Sequence, residues 1–255
     1  MVHLHNRSCY SLLESPFRIE QMIQAAKENH HTHLALTDHH SMYATMKFFH
    51  LCRQNNIHPI FGLELEVNEN DYNFSFVLLA KDDMGLIELY KISSQLMSFQ
   101  TFDSVKTLAQ QSQHCVCMTG GTDDSLYQWV IKKDADSIQR CVKTFSDLWQ
   151  DFYVAISMND SGYHRENNAY LKLQVHNASV ATVALSRNYY WHQEDAILSK
   201  VLRAIDKGST IKDDTLDFKY DRYYRNDQQM AALYDPDDLE QTETIARMCN
   251  VQLAY

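Results

Sequence analysis

The chain switches between two hydrophobic periods from its first residues. Val2-His3-Leu4-His5 alternates apolar and polar positions with the period of a strand, which predicts both imidazoles on one face. Ser15 and Pro16 then offer a cap and a first helical residue, and Ile19, Met22, Ile23 and Ala26 recur at helical spacing toward Asn29. Residues 34–37 form a short apolar strand that runs into Asp38 and His39, 41–55 a second helix, and 57–67 a further strand. A polar turn at Asn70-Asp71 leads to a strand over 74–80, and an amphipathic helix follows over 83–97. Strands are expected again at 114–118, 152–158 and 180–185, each followed by a helical stretch. Apolar strands alternating with helices predict parallel βαβ units with helices covering the sheet, and about seven strands give an α/β, barrel-like count.

The 255 residues suffice for one large domain or two small ones, and no repeat, low-complexity tract or linker divides them. No apolar run approaches the ~18 residues of a membrane span, and the first residues resemble no secretory signal, so a cytoplasmic protein is expected. Six cysteines without a CxxC pair speak against a zinc ribbon or a redox pair, and free thiols fit a reducing compartment. A net charge of −10 speaks against a surface that grips DNA by counterion release. With six Gly, three Pro and no Walker or dinucleotide pattern, a P-loop or Rossmann enzyme is excluded. Residues 206–243 carry much of the negative charge and are expected to present a solvated helical face.

Three successive strands offer ligand-type residues near their C-terminal ends, where barrel enzymes keep their chemistry. His3 and His5 stand two apart on the first. Thr37-Asp38-His39 ends the second. On the third, Leu63, Leu65 and Val67 share one face and Glu64 and Glu66 the other, where an inward acid needs a metal or a cation. Glu14 lies in the first connecting loop. A second HxH pair, His31 and His33, falls at a helix-to-strand junction and is expected to be an exposed turn. The combination predicts a former or present metal-hydrolase centre.

The runs His3-Leu4-His5-Asn6-Arg7-Ser8-Cys9-Tyr10-Ser11-Leu12-Leu13-Glu14-Ser15, Leu36-Thr37-Asp38-His39 and Pro59-Ile60-Phe61-Gly62-Leu63-Glu64 resemble the PHP (polymerase and histidinol phosphatase) domain. Within it, the N-terminal domain of bacterial DNA polymerase III alpha subunits is the nearest likeness. Leu78-Leu79-Ala80-Lys81-Asp82 and the closing run from Thr244 to Val251 carry that likeness along the chain. The resemblance implies a distorted TIM-like barrel over residues 1–255, a single domain whose last ~50 residues form an acidic helical extension toward a polymerase palm.

Complete members of the family carry nine ligands for three metals. Here the resemblance assigns His3, His5, Glu14, His39 and Glu64 to ligand positions, Glu14 replacing the usual Asp. Ser75, Gly121, Asn159 and Tyr189 fall where ligands are lost, and Arg187 falls on a lost acidic ligand. The resemblance therefore implies a scaffold with a degenerate site, which needs no cofactor and at most retains zinc or manganese. The partners it implies are the palm and thumb domains of a longer polymerase chain, with no strong direct DNA binding and no membrane. The alternatives are an active metal-dependent phosphoesterase or 3′–5′ proofreading exonuclease, and a free-standing histidinol-phosphatase-like enzyme. In place of the lost metals, Arg187 is expected to form a salt bridge with Glu64, Glu14 or both. Phe218-Lys219-Tyr220-Asp221-Arg222-Tyr223-Tyr224-Arg225 interleaves aromatics and bases, and it is expected to lead structurally into a helix capped near Asn226.

Overall fold

A computed structural model describes residues 1–98, 101–122, 124–158, 163–213 and 221–253. In chain order its elements are α1 (Ile19–Glu28), β1 (His33–His39), α2 (Thr45–Gln54), β2 (His58–Glu69), β3 (Tyr72–Ala80) and α3 (Asp83–Met97). They continue with α4 (Val105–Gln110), β4 (Cys115–Thr119), α5 (Ser125–Ile131), α6 (Ala135–Ser146), β5 (Phe152–Ile156) and α7 (Tyr163–Asn177). The described chain closes with β6 (Ala181–Ala184), α8 (Ala196–Asp206), α9 (Asp227–Leu233) and α10 (Pro236–Met248).

The strands form one six-stranded sheet in the order of the sequence, curled into a half barrel. β1 and β2 are parallel, as are β4, β5 and β6, but β3 runs antiparallel to both neighbours. The all-parallel expectation fails at Asn70 and Asp71. Their φ angles of 48° and 68° are left-handed, the backbone of a tight two-residue hairpin turn, and so short a link can only reverse the strand.

Strand alternation sorts the sheet into two faces. Leu63, Leu65 and Val67 pack outward with Phe48 and Phe49 of α2 and Leu89 and Ile92 of α3. Ile60, Val77, Leu79, Val116, Met118, Val183 and Leu185 point inward, where Ile245 and Ala246 of α10 cover them. Glu64 and Glu66 continue the inward-facing row of β2 past Ile60 and Gly62, so two carboxylates enter the half barrel above its apolar floor.

The expected seventh strand, at Val2–His5, is an extended segment instead. It crosses the open side of the half barrel: the Asn6 carbonyl accepts from Thr37 N (2.9 Å), while Asn188 N donates to His5 O (3.1 Å) and Arg7 N to Asn188 O (3.0 Å). Only Asn6 and Asn188 pair as a bridge. α1 also begins later than expected, at Ile19 after Arg18. Ser15 Oγ is drawn instead between the carbonyls of Arg7 (2.8 Å) and Tyr189 (2.7 Å). α9 starts at the expected cap, with Asn226 Oδ1 accepting from Gln229 N. Phe218, Lys219 and Tyr220 lie outside the described residues. Among the described residues, no helix is long and apolar enough to cross a membrane.

Candidate functional site at the mouth of the half barrel

The centre is built around Arg7, which the irregular N-terminal segment delivers over the inward carboxylates. Arg7 Nε donates to Glu64 Oε2 at 2.5 Å, and Nη1 donates to Glu14 Oε2. The guanidinium lies over the Tyr189 ring, 4.6 Å from its centroid, and Arg222 lies at the same distance from that ring. Glu64 is 2 % exposed. Burial alone would raise its pKa, but the charge of Arg7 and the nearby His5 hold it well below the usual carboxylate range. Glu64 is therefore a buried carboxylate with a matched cation.

His5 Nε2 lies 3.0 Å from Glu64 Oε2. Among the described residues no other group bonds Nε2. Burial pushes the His5 pKa down, against the pull of Glu64. His3 goes elsewhere. Its Nε2 donates to the Arg225 carbonyl (2.8 Å), Nδ1 meets Asn188 Nδ2 (3.0 Å), and its ring packs on Tyr224 with centroids 4.2 Å apart. The expectation that both imidazoles share a face fails because the segment does not keep a strand's regular pleat. Asn6 locks this path through Nδ2 bonds to the His3 and Ala35 carbonyls, while its Oδ1 accepts from Asn188.

At the end of β1 the side chains divide. Asp38 is buried and accepts from Ser8 N, Ser8 Oγ and Ser11 Oγ, fixing the first loop. His39 reaches the mouth, its Nδ1 2.7 Å from Glu14 Oε1 and its Nε2 2.9 Å from Glu66 Oε2. His40 Nε2 reaches the same Glu66 oxygen at 3.0 Å. Burial opposes charge at His39, but the two carboxylates lift its pKa to about 10, and Glu66 falls to about 2 although burial would raise it. His31, expected at an exposed turn, is buried and held by Tyr224 and Asp227, because the chain beyond α8 packs across this junction.

Arg187 does not make its expected salt bridge to Glu64 or Glu14; Arg7 does. Arg187 Nε and Nη2 both donate to the Gly120 carbonyl, with Nε at 3.0 Å. The chain after β6 carries Arg187 over the end of β4, where Gly121 leaves room for it. A Cβ on Gly121 would lie 2.7 Å from Arg187 Nη2. Ser75 is buried beside Gly120, and Tyr189 supplies its ring to Arg7. Asn159 lies outside the described residues. Arg7, Arg187, Arg203 and Arg222 line one cavity of about 420 Å³ with Glu64, Glu66, Ser75 and Tyr189.

Sequence reading quoted Arg7 but gave it no role, and it did not single out His40, Asn6 or Asn188. The available signal was that an inward Glu64 requires a cation, and Arg7 is the basic residue nearest the first strand.

The PHP domain profile matches residues 3–161, more than half of the chain, and the chain belongs to the PHP domain family. It is similar along nearly its whole length to DNA polymerase III alpha subunits. The match to that of Borreliella burgdorferi is 24 % identical over 98 % of this chain and 24 % of the relative. For Staphylococcus aureus it is 27 % identical over all of this chain and 21 % of the relative. The chain thus spans about a quarter of the length of these relatives. Among solved structures, an amidohydrolase from Chromobacterium violaceum, with bound SO4 and no metal, superposes with a TM-score of 0.55 at 12 % identity. That match covers 72 % of this chain and 86 % of the other, and it supports the fold.

The residues that the resemblance assigns to metal positions do not fit a metal cluster as they are bonded here. Both ring nitrogens of His3 are committed to Arg225 and Asn188, and a guanidinium is bonded to Glu64 and Glu14 together. A divalent ion placed between those carboxylates would meet a fixed positive charge at hydrogen-bond distance. Among the described residues, His5 Nε2 has the Glu64 carboxylate beside it and no further hydrogen bond.

Proposed function

We propose that this chain acts as the N-terminal PHP domain of a bacterial DNA polymerase III alpha subunit, a cytoplasmic replication protein, and serves it as a structural scaffold. In this reading residues 1–255 form one domain, and the palm and thumb domains of the longer chain are its partners. His3, His5, Glu14, His39 and Glu64 are then remnants of a ligand set, and a protein cation has replaced the metal they once held.

One observation carries the reading: Arg7, bonded to Glu64 and Glu14 and stacked on Tyr189, neutralises the carboxylates that would otherwise hold an ion. A buried carboxylate without a partner costs several kcal/mol, and a planar fork of donors removes that cost without a metal. The chain's charge of −10 also supports weak DNA binding by the domain itself, near the ~10⁻⁴ M end of non-specific affinity at physiological salt.

The second reading, an active metal-dependent phosphoesterase, draws support from His5 Nε2, which faces the Glu64 carboxylate and has no further hydrogen bond. Hydrolysis of a phosphodiester and a phosphomonoester by the purified chain, with zinc or manganese added, separates the two. The scaffold reading expects no turnover above the background of an Arg7-intact Glu64→Gln variant. Turnover that needs the added metal and disappears in that variant would establish the phosphoesterase.

A further inference from the structure

Helix α8 is inverted for a helix on a domain surface. Such a helix normally turns its apolar stripe to the core and its charges to solvent. Here Ile197, Leu198 and Ile205 are 48, 46 and 60 % exposed, and the half-buried Val201 and Leu202 continue the same side at three- and four-residue spacing. Within α8 only the small Ala196 and Ala204 are buried. Ser199, Arg203 and Lys207 face the mouth of the half barrel instead, where they help line a cavity of about 380 Å³.

The charges divide in the same sense. Lys200, Arg203 and Lys207 recur at helical spacing on the inward side, whereas the exposed Glu194 leads into the outward stripe and the exposed Asp206 follows its last residue. At 1.5 Å per residue the stripe from Ile197 to Ile205 is about 12 Å long. The outward face is therefore aliphatic, with a carboxylate at each end.

We propose that this face docks a basic amphipathic helix of a partner protein, rich in Leu or Ile along one stripe and flanked by Lys or Arg. Apolar stripes pack against each other, and the carboxylates select the sign of the flanking charges. The same charges disfavour other occupants. In a two-fold pair of copies, parallel helices set Glu194 against Glu194 and Asp206 against Asp206, and antiparallel helices set Asp206 of each against Glu194 of the other, with a charge of −10 on either molecule. An anionic lipid surface is repelled for the same reason. A single helix face covers less than the ~800 Å² a side of a standard interface, so the complex is expected to be reversible. The stripe lies outside the carboxylate centre held by Arg7, and its docking does not depend on whether the mouth retains any chemistry.

Titration of the full chain into a fluorescent peptide of about 14 residues, four helical turns, tests the surface. The probe carries Leu at i, i+3, i+4 and i+7 with Lys elsewhere, and its control carries Glu in place of Lys. The basic peptide should bind at least about tenfold more tightly than the acidic one, and Leu198→Ser combined with Ile205→Ser should weaken that binding at least about tenfold. Asp237→Asn combined with Glu240→Gln, at two exposed acids of α10, should leave it unchanged, which separates docking on α8 from general attraction to an acidic chain. Hydrogen exchange of the unsubstituted protein provides a check independent of any variant: the basic peptide should slow exchange in α8 and leave α10 unchanged. Binding indifferent to the peptide's charge or to the paired α8 substitutions, protection that bypasses α8, a dimer in sedimentation that those substitutions disperse, or capture of the chain by phosphatidylglycerol vesicles would overturn the proposal.

Discussion

Arg7 Nε sits 2.5 Å from Glu64 Oε2, within a pocket where the carboxylate is 2 % exposed. The two residues come from unrelated elements, an irregular N-terminal segment and the inward row of β2, and their pairing joins the two sides of the mouth. Glu14 and Tyr189 complete the enclosure, one as a second acceptor and one as an aromatic face. The same side chain that neutralises the carboxylates therefore also ties the N-terminal segment to the sheet.

Unequal burial of the two acceptors predicts unequal costs. Glu64→Gln removes the charge that balances a buried guanidinium and should destabilise by about 3–5 kcal/mol. Glu14 is 34 % exposed, so solvent screens its loss, and Glu14→Gln should cost about 1 kcal/mol or less. Urea unfolding of the two variants checks the order; equal costs would show that burial does not govern this network.

His3 predicts how stability depends on pH. Burial lowers its pKa from 6.5 to about 3, so between those values the unfolded chain binds a proton that the folded chain refuses. The stability that depends on a neutral His3 is complete above pH 6.5 and is lost as pH falls toward 3, reaching a loss of about 2 kcal/mol by pH 5. His3→Asn should flatten this part of the profile. Identical pH slopes in the two proteins between 7 and 4.5 would contradict the assignment.

Gly121 has φ 115°, and a Cβ there would also meet Arg187 Nη2 at 2.7 Å. Gly121→Ala should therefore destabilise by about 1–3 kcal/mol. Adding Arg187→Ala removes the clash and leaves the backbone strain, so thermal melting of the double variant should show part of the loss from Gly121→Ala recovered. A fully additive pair would mean that Arg187 does not fill the space beside Gly121.

The sequence made legible whatever followed from a regular period. Glu64 and Glu66 on one inward face, His39 at the end of its strand and Asp83–Met97 as a helix all obey spacing rules, and the structure has them so. The misses occur where the backbone leaves its period. His3 and His5 part company because their segment bonds β1 out of step, Ala35 N reaching the His3 carbonyl and Thr37 N the Asn6 carbonyl, and His40 joins His39 through one left-handed residue. The need for a cation opposite Glu64 was legible, but its source was not. Alignment with lost ligands favoured Arg187, whereas the reach of Arg7 depends on how the N-terminal segment crosses the half barrel.

A double-mutant cycle on Arg7 and Glu64, measured by unfolding in the presence of chelator, tests most directly whether a guanidinium has taken over the metal's place. Arg7→Ala and Glu64→Ala are compared with each other and with the double variant. The account predicts a coupling of about 2 kcal/mol or more, with the double variant less unstable than the two single losses together. Coupling below about 0.5 kcal/mol, or a coupling that appears only when zinc or manganese is restored, would contradict it.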